Sequence, residues 1–146
     1  MKKLTLLAIV ERGKGKGNFS CFATENVGNF GLNGFGSSAR EAMEDIKAAA
    51  QEFREMAAES GEDFPEDIEF DFLLDVGSFF DYYPLDVSAT AKYIGINPSA
   101  LRQYVSGIRE PQKKQIDKIK AGLDRLAHDL GTGLKMIDKP AASYII

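Results

Sequence analysis

One fifteen-residue stretch, YIGINPSALRQYVSG at residues 93–107, constrains the fold more than any other part of the chain. Its Gly95 stands between two isoleucines, which is typical of a tight turn between helices. Asn97 followed by Pro98 predicts a helix start, because Asn caps a first turn and Pro fits the first helical position. Gly107 then ends that helix. Two helices joined in this way form a helix-turn-helix unit, which reads DNA through its second helix.

A helix-turn-helix unit makes three demands on its residues: a small residue in the first helix, a turn residue that tolerates positive φ, and apolar side chains between the helices. Ala91, Gly95 and Ile96 match these demands in the right order. An ordinary helical hairpin with the same turn is the alternative interpretation. The remaining core positions are predicted at Ile94, Leu101 and Tyr104 or Val105.

The charge of the chain is divided unevenly. The formal net charge is −4, but residues 1–76 carry 8 Lys and Arg against 15 Asp and Glu, whereas residues 77–146 carry 10 against 7. The two parts therefore carry −7 and +3. Residues 88–120 alone hold 7 basic and 2 acidic side chains, a local charge of +5. Because counterion release depends on the charge that faces the phosphates, such a segment can bind DNA on an acidic protein.

Helical geometry predicts which side of the second helix faces DNA. If Leu101, Tyr104 and Val105 point inward, the opposite side is free to enter a groove. Arg102 suits a bidentate contact with guanine and Gln103 a contact with adenine. Lysines nearby suit phosphates, although a solvated surface is the alternative for each of them. The predicted DNA-binding residues are Ser99, Ala100, Arg102, Gln103 and Ser106 on this helix, with Ser88, Thr90, Lys92, Arg109, Lys113 and Lys114 around it.

The first part of the chain has the pattern of a sheet with one helix. Residues 3–11 and 18–25 predict a hairpin through the turn RGKGKGN, and a third strand is expected at 30–35. A capping box at Ser38 opens an amphipathic helix that ends near Gly61. The alternation in DIEFDFLLD, residues 67–75, then predicts a half-buried strand. The order is βββαβ, with the glycines of the third segment allowing a bend at its end.

The second part is predicted to be all-helical. Ser78 or Asp81 can cap a short helix that Pro84 stops, and Asp86 or Ser88 can cap the next helix. A longer helix is expected from about Gln112 to Leu130, with an apolar stripe that belongs either to the core or to a second subunit. The fold class is thus α+β, with a sheet domain at 1–76 and a helix-turn-helix domain at 77–146. The stripe consists of Ile116, Ile119, Leu123, Leu126 and Leu130.

The residues show no catalytic constellation. Asp71 and its acidic neighbours on the last strand fit the solvated side of that strand better than a metal site, and the only histidine, His128, fits a helix surface. The lone Cys21 has no partner for a disulfide or a zinc site. No segment resembles a signal peptide or a membrane span. We therefore expect a cytoplasmic protein without cofactor or metal that is not an enzyme.

The two parts together resemble the HicB family of antitoxins from bacterial type II toxin–antitoxin operons. In the first part the segment NFSCFATENVGNFGLNGFGSSAREAMEDI is similar to the family's strand, loop and T-x-E-E-A helix start. In the second, SFFDYYPLDVSATAKYIGINPSALRQYVSGIREPQKKQIDKIKAGLDRLAHDL is similar to the helix-turn-helix tail of some members. The family's Pro-Asp-Leu-Pro-Gly-Cys loop is replaced by ENVGNFG at residues 25–31.

This resemblance implies a partly degenerate ribonuclease H-like first domain that covers a small RNA-cleaving toxin, HicA, and a second domain that binds the operon's own promoter. We therefore expect an antitoxin and transcriptional autoregulator that binds double-stranded operator DNA as a homodimer or higher oligomer. The toxin would be small and basic, because it faces an acidic domain. A stand-alone repressor whose first domain senses a ligand or dimerises is the alternative, and a metal-dependent nuclease is a third.

Overall fold

The computed structural model describes residues 3–13 and 18–137. Most of the predicted turn RGKGKGN and the end of the chain, residues 14–17 and 138–146, lie outside them. The described residues form an α+β protein with a four-stranded mixed sheet and five helices. The elements are β1 Lys3–Arg12, β2 Phe19–Ala23, β3 Asn33–Gly36, α1 Ala39–Ser60, β4 Asp67–Leu74, α2 Val76–Tyr82, α3 Val87–Ile94, α4 Pro98–Ser106 and α5 Lys113–Leu134.

The chain divides into two compact units, which are described separately. The first unit contains Met1–Leu85 and Arg102–Glu110, and the second contains Asp86–Leu101 and Pro111–Ile146. The division therefore passes through α4, after Leu101. The functional domains expected at 1–76 and 77–146 stay a prediction, since compact units and functional domains need not share their boundaries.

The sheet has the strand order β3-β2-β1-β4, with β4 parallel to β1 and the other neighbours antiparallel. The predicted order βββαβ is confirmed. Successive side chains of a strand point to opposite faces, and one face of β1 is buried. That face packs with α1 into the core of the first unit. The fully buried members of this core are Leu6, Ala8, Val10, Phe19, Cys21, Val27, Leu32, Ala39, Ala42, Ile46 and Ala50.

Helix α1 begins and ends where its sequence predicts. The Oγ of Ser38 accepts a hydrogen bond from the Glu41 backbone N–H at 3.1 Å, and Gly61 ends the helix with a φ of 74°. The Asp81 carboxylate of α2 also accepts from the Ala39 N–H at 2.8 Å, so a second side chain caps the same end. The α2 helix is itself capped by Asp75, whose Oδ1 accepts from the Ser78 N–H. Neither Ser78 nor Asp81 caps it, because the helix starts earlier than expected.

The third strand begins three residues later than predicted and ends one residue later. Phe30 is held in a turn with Val27, and its ring lies 4.9 Å from that of Phe53 on α1. The strand instead begins at Asn33 and passes directly over the helix. A Cβ at Gly34 would lie 2.4 Å from the Ala42 carbonyl oxygen. The glycines of this strand therefore permit close contact with α1, in addition to any bend.

Candidate nucleic-acid interface and partner surface

The turn of the predicted helix-turn-helix unit lies in the second unit. Helix α3 begins at Val87 and is capped by Asp86, whose Oδ2 accepts from the Ala89 N–H at 2.7 Å. Gly95 ends the helix with a φ of 81°, a conformation that residues with a Cβ rarely adopt. The N–H groups of Gly95 and Ile96 both donate to the Ala91 carbonyl. Ala91, Ile94, Ile96 and Leu101 are all buried, as the sequence predicts.

Helix α4 starts at Pro98 and is capped by Asn97. The Asn97 Oδ1 accepts from the backbone N–H groups of Ser99 and Ala100, at 2.8 and 3.2 Å. The cap therefore satisfies two of the amides that a helix start leaves unpaired. Any contact of this first turn with DNA must then come mainly from side chains rather than from these two N–H groups.

Helix α5 fixes the position of α3 within the second unit. A Cβ at Gly122 would lie 2.3 Å from the Ile94 Cβ, so the two helices meet more closely than any larger residue would permit. Two turns further along α5, the Tyr93 hydroxyl donates to the Asp129 Oδ2 at 2.8 Å. This hydrogen bond raises the pKa of Tyr93, because it favours the protonated phenol. Together the two contacts hold α3 against a long helix.

In the second unit most of the predicted DNA-binding residues reach the surface, with one correction. Ser99 and Lys92 are exposed, and Ala100 and Ser88 are half-buried. Thr90 is only 6% exposed. It lies on the same side of α3 as the buried Ile94, four residues later, and so faces the inside of the unit. Thr90 is therefore removed from the set of candidate phosphate contacts.

The second half of α4 belongs to the first unit, where Tyr104 is buried and Val105 half-buried. Arg102 and Ser106 are exposed, and Gln103 is half-buried. Arg109 follows the end of α4, and its guanidinium lies 5.7 Å from the centre of the Tyr104 ring. This cation–π contact orients the Arg109 side chain. Of the two residues that the sequence assigns to contacts with guanine and adenine, Arg102 is exposed and Gln103 is half-buried.

The start of α5 is electrostatically unusual. Lys113 and Lys114 are exposed in its first turn, where the helix dipole disfavours cations. Gln112 precedes them and makes no side-chain hydrogen bond to cap the helix. Lys113 contacts Asp117 at 3.8 Å, an exposed pair that contributes little. Two lysines on uncapped amides form a favourable location for an anion such as a phosphate group.

The end of α4 is held by residues of the first unit that the sequence analysis did not identify. The Arg12 Nη1 of β1 donates to the Val105 carbonyl at 3.2 Å. A Cβ at Gly77 of α2 would lie 2.7 Å from the same oxygen, so only glycine permits this approach. Nothing in the local sequence signals these contacts, because 93 residues separate Arg12 from Val105.

The face of the sheet that points away from α1 carries an exposed apolar patch, here called the outer sheet face. Leu73, Ile9 and Phe22 share one register and lie side by side on β4, β1 and β2. Leu7 and Phe35 enlarge the patch and are 41% and 65% exposed. An apolar patch that crosses several strands is typical of a surface that binds another protein.

Acidic side chains border the outer sheet face. Asp71 pairs in register with Leu7, and Glu11 lies two residues beyond Ile9 on the same strand. Glu69 accepts a hydrogen bond from Lys3 at 2.8 Å, which raises the pKa of this lysine. The alternation of apolar and acidic residues along β4 predicts the acidic side chains of this face from the sequence. The apolar patch cannot be predicted in the same way, because it depends on the order of the strands in the sheet.

Comparisons with protein-family models, with curated proteins and with solved structures give no match for this chain. The similarity to HicB antitoxins thus stays an interpretation of the residues. Among residues 3–13 and 18–137, no helix is long and apolar enough to cross a bilayer. Within the same ranges, no group of three or more His, Cys, Asp or Glu side chains could hold a metal ion.

Proposed function

We propose that this protein is a cytoplasmic DNA-binding autoregulator and antitoxin, in which α3 and α4 form a helix-turn-helix unit and the sheet domain neutralises a small basic toxin. The observation that carries the DNA-binding part is the turn between the helices. Gly95 at positive φ, buried Ala91 and the Asn97 cap supply what a helix-turn-helix unit requires. The exposed Ser99, Arg102 and Ser106 then supply polar groups for the major groove.

Phosphate contacts follow from the charges around this helix. Lys92, Lys113 and Lys114 are exposed, and the local charge of +5 over residues 88–120 offsets the acidity of the rest. Each neutralised phosphate releases counterions, so the affinity falls steeply as salt is raised. Two copies would read two half-sites of an operator, since a single short helix makes few base contacts.

The toxin-binding part rests on the outer sheet face. Its apolar patch is bordered by Glu11, Glu69 and Asp71, so a partner with basic side chains around an apolar centre complements it. A small basic toxin of the HicA type has this chemistry, and the sheet domain would act as a degenerate ribonuclease H-like fold that binds rather than cleaves. In this proposal the protein performs no catalysis.

Direct binding tests the DNA-reading function. A labelled duplex from upstream of the chain's own coding sequence is titrated with the full-length protein at several salt concentrations, and a scrambled duplex of equal length is the control. We expect tighter binding to the upstream duplex at every salt concentration. Equal binding to both duplexes, or none at low salt, would contradict the proposal.

The proposal expects a small basic protein to be encoded next to this one, and co-expression with that protein tests the antitoxin function. Leu73 of the outer sheet face and Met56 of α1 are each 54% exposed, which makes them a matched pair. Leu73→Lys is expected to abolish co-purification and protection against the toxin, whereas Met56→Lys is expected to preserve both. If Leu73→Lys still neutralised the toxin, the outer sheet face would be the wrong surface.

A stand-alone repressor is the second candidate, and the same outer sheet face favours it because an apolar patch also suits contact with a ligand or a second copy. The two candidates differ in two results. A repressor that needs no toxin binds its upstream duplex equally well with and without the neighbouring gene product, and the two proteins do not co-purify.

A further inference from the structure

Helix α5 has two adjacent apolar sides, and within residues 18–137 only one of them packs closely against another helix of its unit. Ile119, Gly122 and Leu126 lie on the side that meets α3, as the contacts of Gly122 with Ile94 and of Asp129 with Tyr93 show. The other side carries a second row at spacings of four, three, four and three residues, here called the α5 seam. The α5 seam consists of Leu123, Ala127, Leu130 and Leu134 of the helix and of Ile137, which follows the helix end in a turn with i→i−3 hydrogen bonds.

The α5 seam is largely exposed. Leu130, Leu134 and Ile137 are 55%, 67% and 77% exposed, and Met136 beside them is 77% exposed. Spacings that alternate between four and three residues place side chains along one line of a helix, which is the pattern of a helix that pairs with another. Three large apolar side chains in one row on a surface mark a contact site more than a solvated face.

We propose that the α5 seam pairs with the α5 seam of a second copy, in antiparallel orientation and centred on Leu130. Such pairing is self-complementary, as a twofold dimer requires. Seams of this length bury on the order of 1,000 Å² in total, which is the lower size limit of a specific interface. The inference does not rest on DNA binding or on a toxin.

Charge favours the antiparallel orientation. Asp124 lies six residues before Leu130 and Lys135 five residues after it, and helical periodicity places both on the same flank of the α5 seam. Antiparallel helices bring equivalent flanks together, so Asp124 of one copy faces Lys135 of the other. In a parallel pair, the flank with Asp124 would instead face the opposite flank of the second copy. That flank contains Leu126 and Gly133 and has no charge that complements Asp124.

The mass of the full-length protein in solution tests the pairing. We expect light scattering to give twice the 16.0 kDa of one chain at micromolar concentration. Leu130→Lys should raise the dimer dissociation constant at least about tenfold. Thr132→Lys is the control, since Thr132 is exposed on the opposite side of the same helix and receives the same charge. A wild-type protein that stays monomeric would overturn the proposal.

Cysteine cross-linking tests the orientation and remains informative if Leu130→Lys does not fold. The native Cys21 is buried and does not interfere. A mixture of Ala127→Cys and Leu134→Cys proteins should form a disulfide-linked dimer, and Leu130→Cys should do so alone. Ala127→Cys alone should not. Efficient cross-linking of Ala127→Cys alone would show a parallel pair, and no cross-link in any of these samples would exclude the α5 seam.

Discussion

The Arg12 guanidinium donates through Nη1 to the Val105 carbonyl oxygen at 3.2 Å, joining the end of β1 to the last turn of α4. Val105 is among the last residues of its helix, where carbonyl groups lack intrahelical partners. The guanidinium carbon also lies 5.3 Å from the centre of the Phe19 ring. A side chain of β1 thus supplies a hydrogen-bond donor to the last turn of α4, the helix that carries the predicted base contacts. This contact holds the end of α4 within the first unit.

Replacing Arg12 by alanine should lower the free energy of unfolding by about 1–3 kcal/mol, because the partly buried Val105 carbonyl loses a charged donor. Urea unfolding of the wild type and the variant measures this difference in unfolding free energy. Arg40→Ala is the control, since its guanidinium is exposed over the Tyr82 ring and should contribute no more than about 1 kcal/mol. Arg12→Lys keeps a charged donor, so its loss of unfolding free energy should lie between those of Arg40→Ala and Arg12→Ala. Equal losses for Arg12→Ala and Arg40→Ala would contradict the role assigned to this contact.

Gly122→Ala should destabilise the second unit. The new Cβ would lie 2.3 Å from the Ile94 Cβ, so α3 and α5 must separate, at a cost of about 1–3 kcal/mol. Gly131→Ala in the same helix is the control, because nothing lies within 4 Å of its new Cβ. Thermal unfolding should show a lower Tm for Gly122→Ala and an unchanged or higher Tm for Gly131→Ala. A Gly122→Ala protein as stable as wild type would mean that the helices do not pack this closely.

Arg102→Ala should weaken binding to the upstream duplex by about 1–3 kcal/mol and relax the base preference at one position. Titration of duplexes with each base in turn at every position measures both effects. Arg125→Ala removes the same charge from an exposed position on α5 and should leave the base preference unchanged. If the two variants lose affinity equally for all duplexes, Arg102 contacts no base.

Lys114→Glu should change stability and DNA affinity in opposite directions. An acid in the first turn of α5 suits the helix dipole, and it also forms a favourable pair with Lys118 four residues later, so stability rises by about 0.5–1 kcal/mol. The affinity for DNA should fall. Lys114→Gln should reduce the slope of log affinity against log salt by about 1. A Lys114→Glu protein that is more stable and binds DNA as well as wild type would remove this lysine from the phosphate contacts.

Burial raises the pKa of the Cys21 thiol to about 11, against an ordinary value of 9.0. A raised pKa means that the folded protein favours the protonated thiol. The corresponding stability is complete below pH 9.0 and is lost as the pH rises toward about 11. Between these values the wild type should lose more stability than Cys21→Ala, measured by urea unfolding. A thiol reagent should also label the folded protein far more slowly than the unfolded one at pH 8, and equal rates would contradict the burial.

Local signals in the sequence predict the elements well and their contacts poorly. Ser38, Asn97 and Gly95 each act through neighbouring backbone atoms, so their roles follow from residues two to four positions away. Thr90 fails as a prediction because a hydroxyl side chain fits both a surface and the inside of a helical turn. Its burial is decided by the elements that α3 meets.

Contacts between distant segments carry no local signal. The shift of the third strand depends on Phe30 packing against Phe53, and the glycine at residue 34 is explained only by the Ala42 carbonyl. The outer sheet face likewise requires the strand order, since Ile9, Phe22 and Leu73 meet only after three strands pair. The sequence left the α5 apolar stripe open between the core and a second subunit, whereas the structure buries its Ile119 and leaves its Leu130 55% exposed.

The parallel pairing of β1 with β4 also has a consequence during protein synthesis. Residues 13–66 must all be translated before β4 reaches the ribosome exit and can pair with β1. At the usual rate of about 5–20 residues per second, the nascent chain carries this unpaired strand edge for several seconds. Unpaired edges recruit other strands. Chaperones or a co-translated partner that shield this edge should therefore increase the yield of folded protein more than any treatment applied after release.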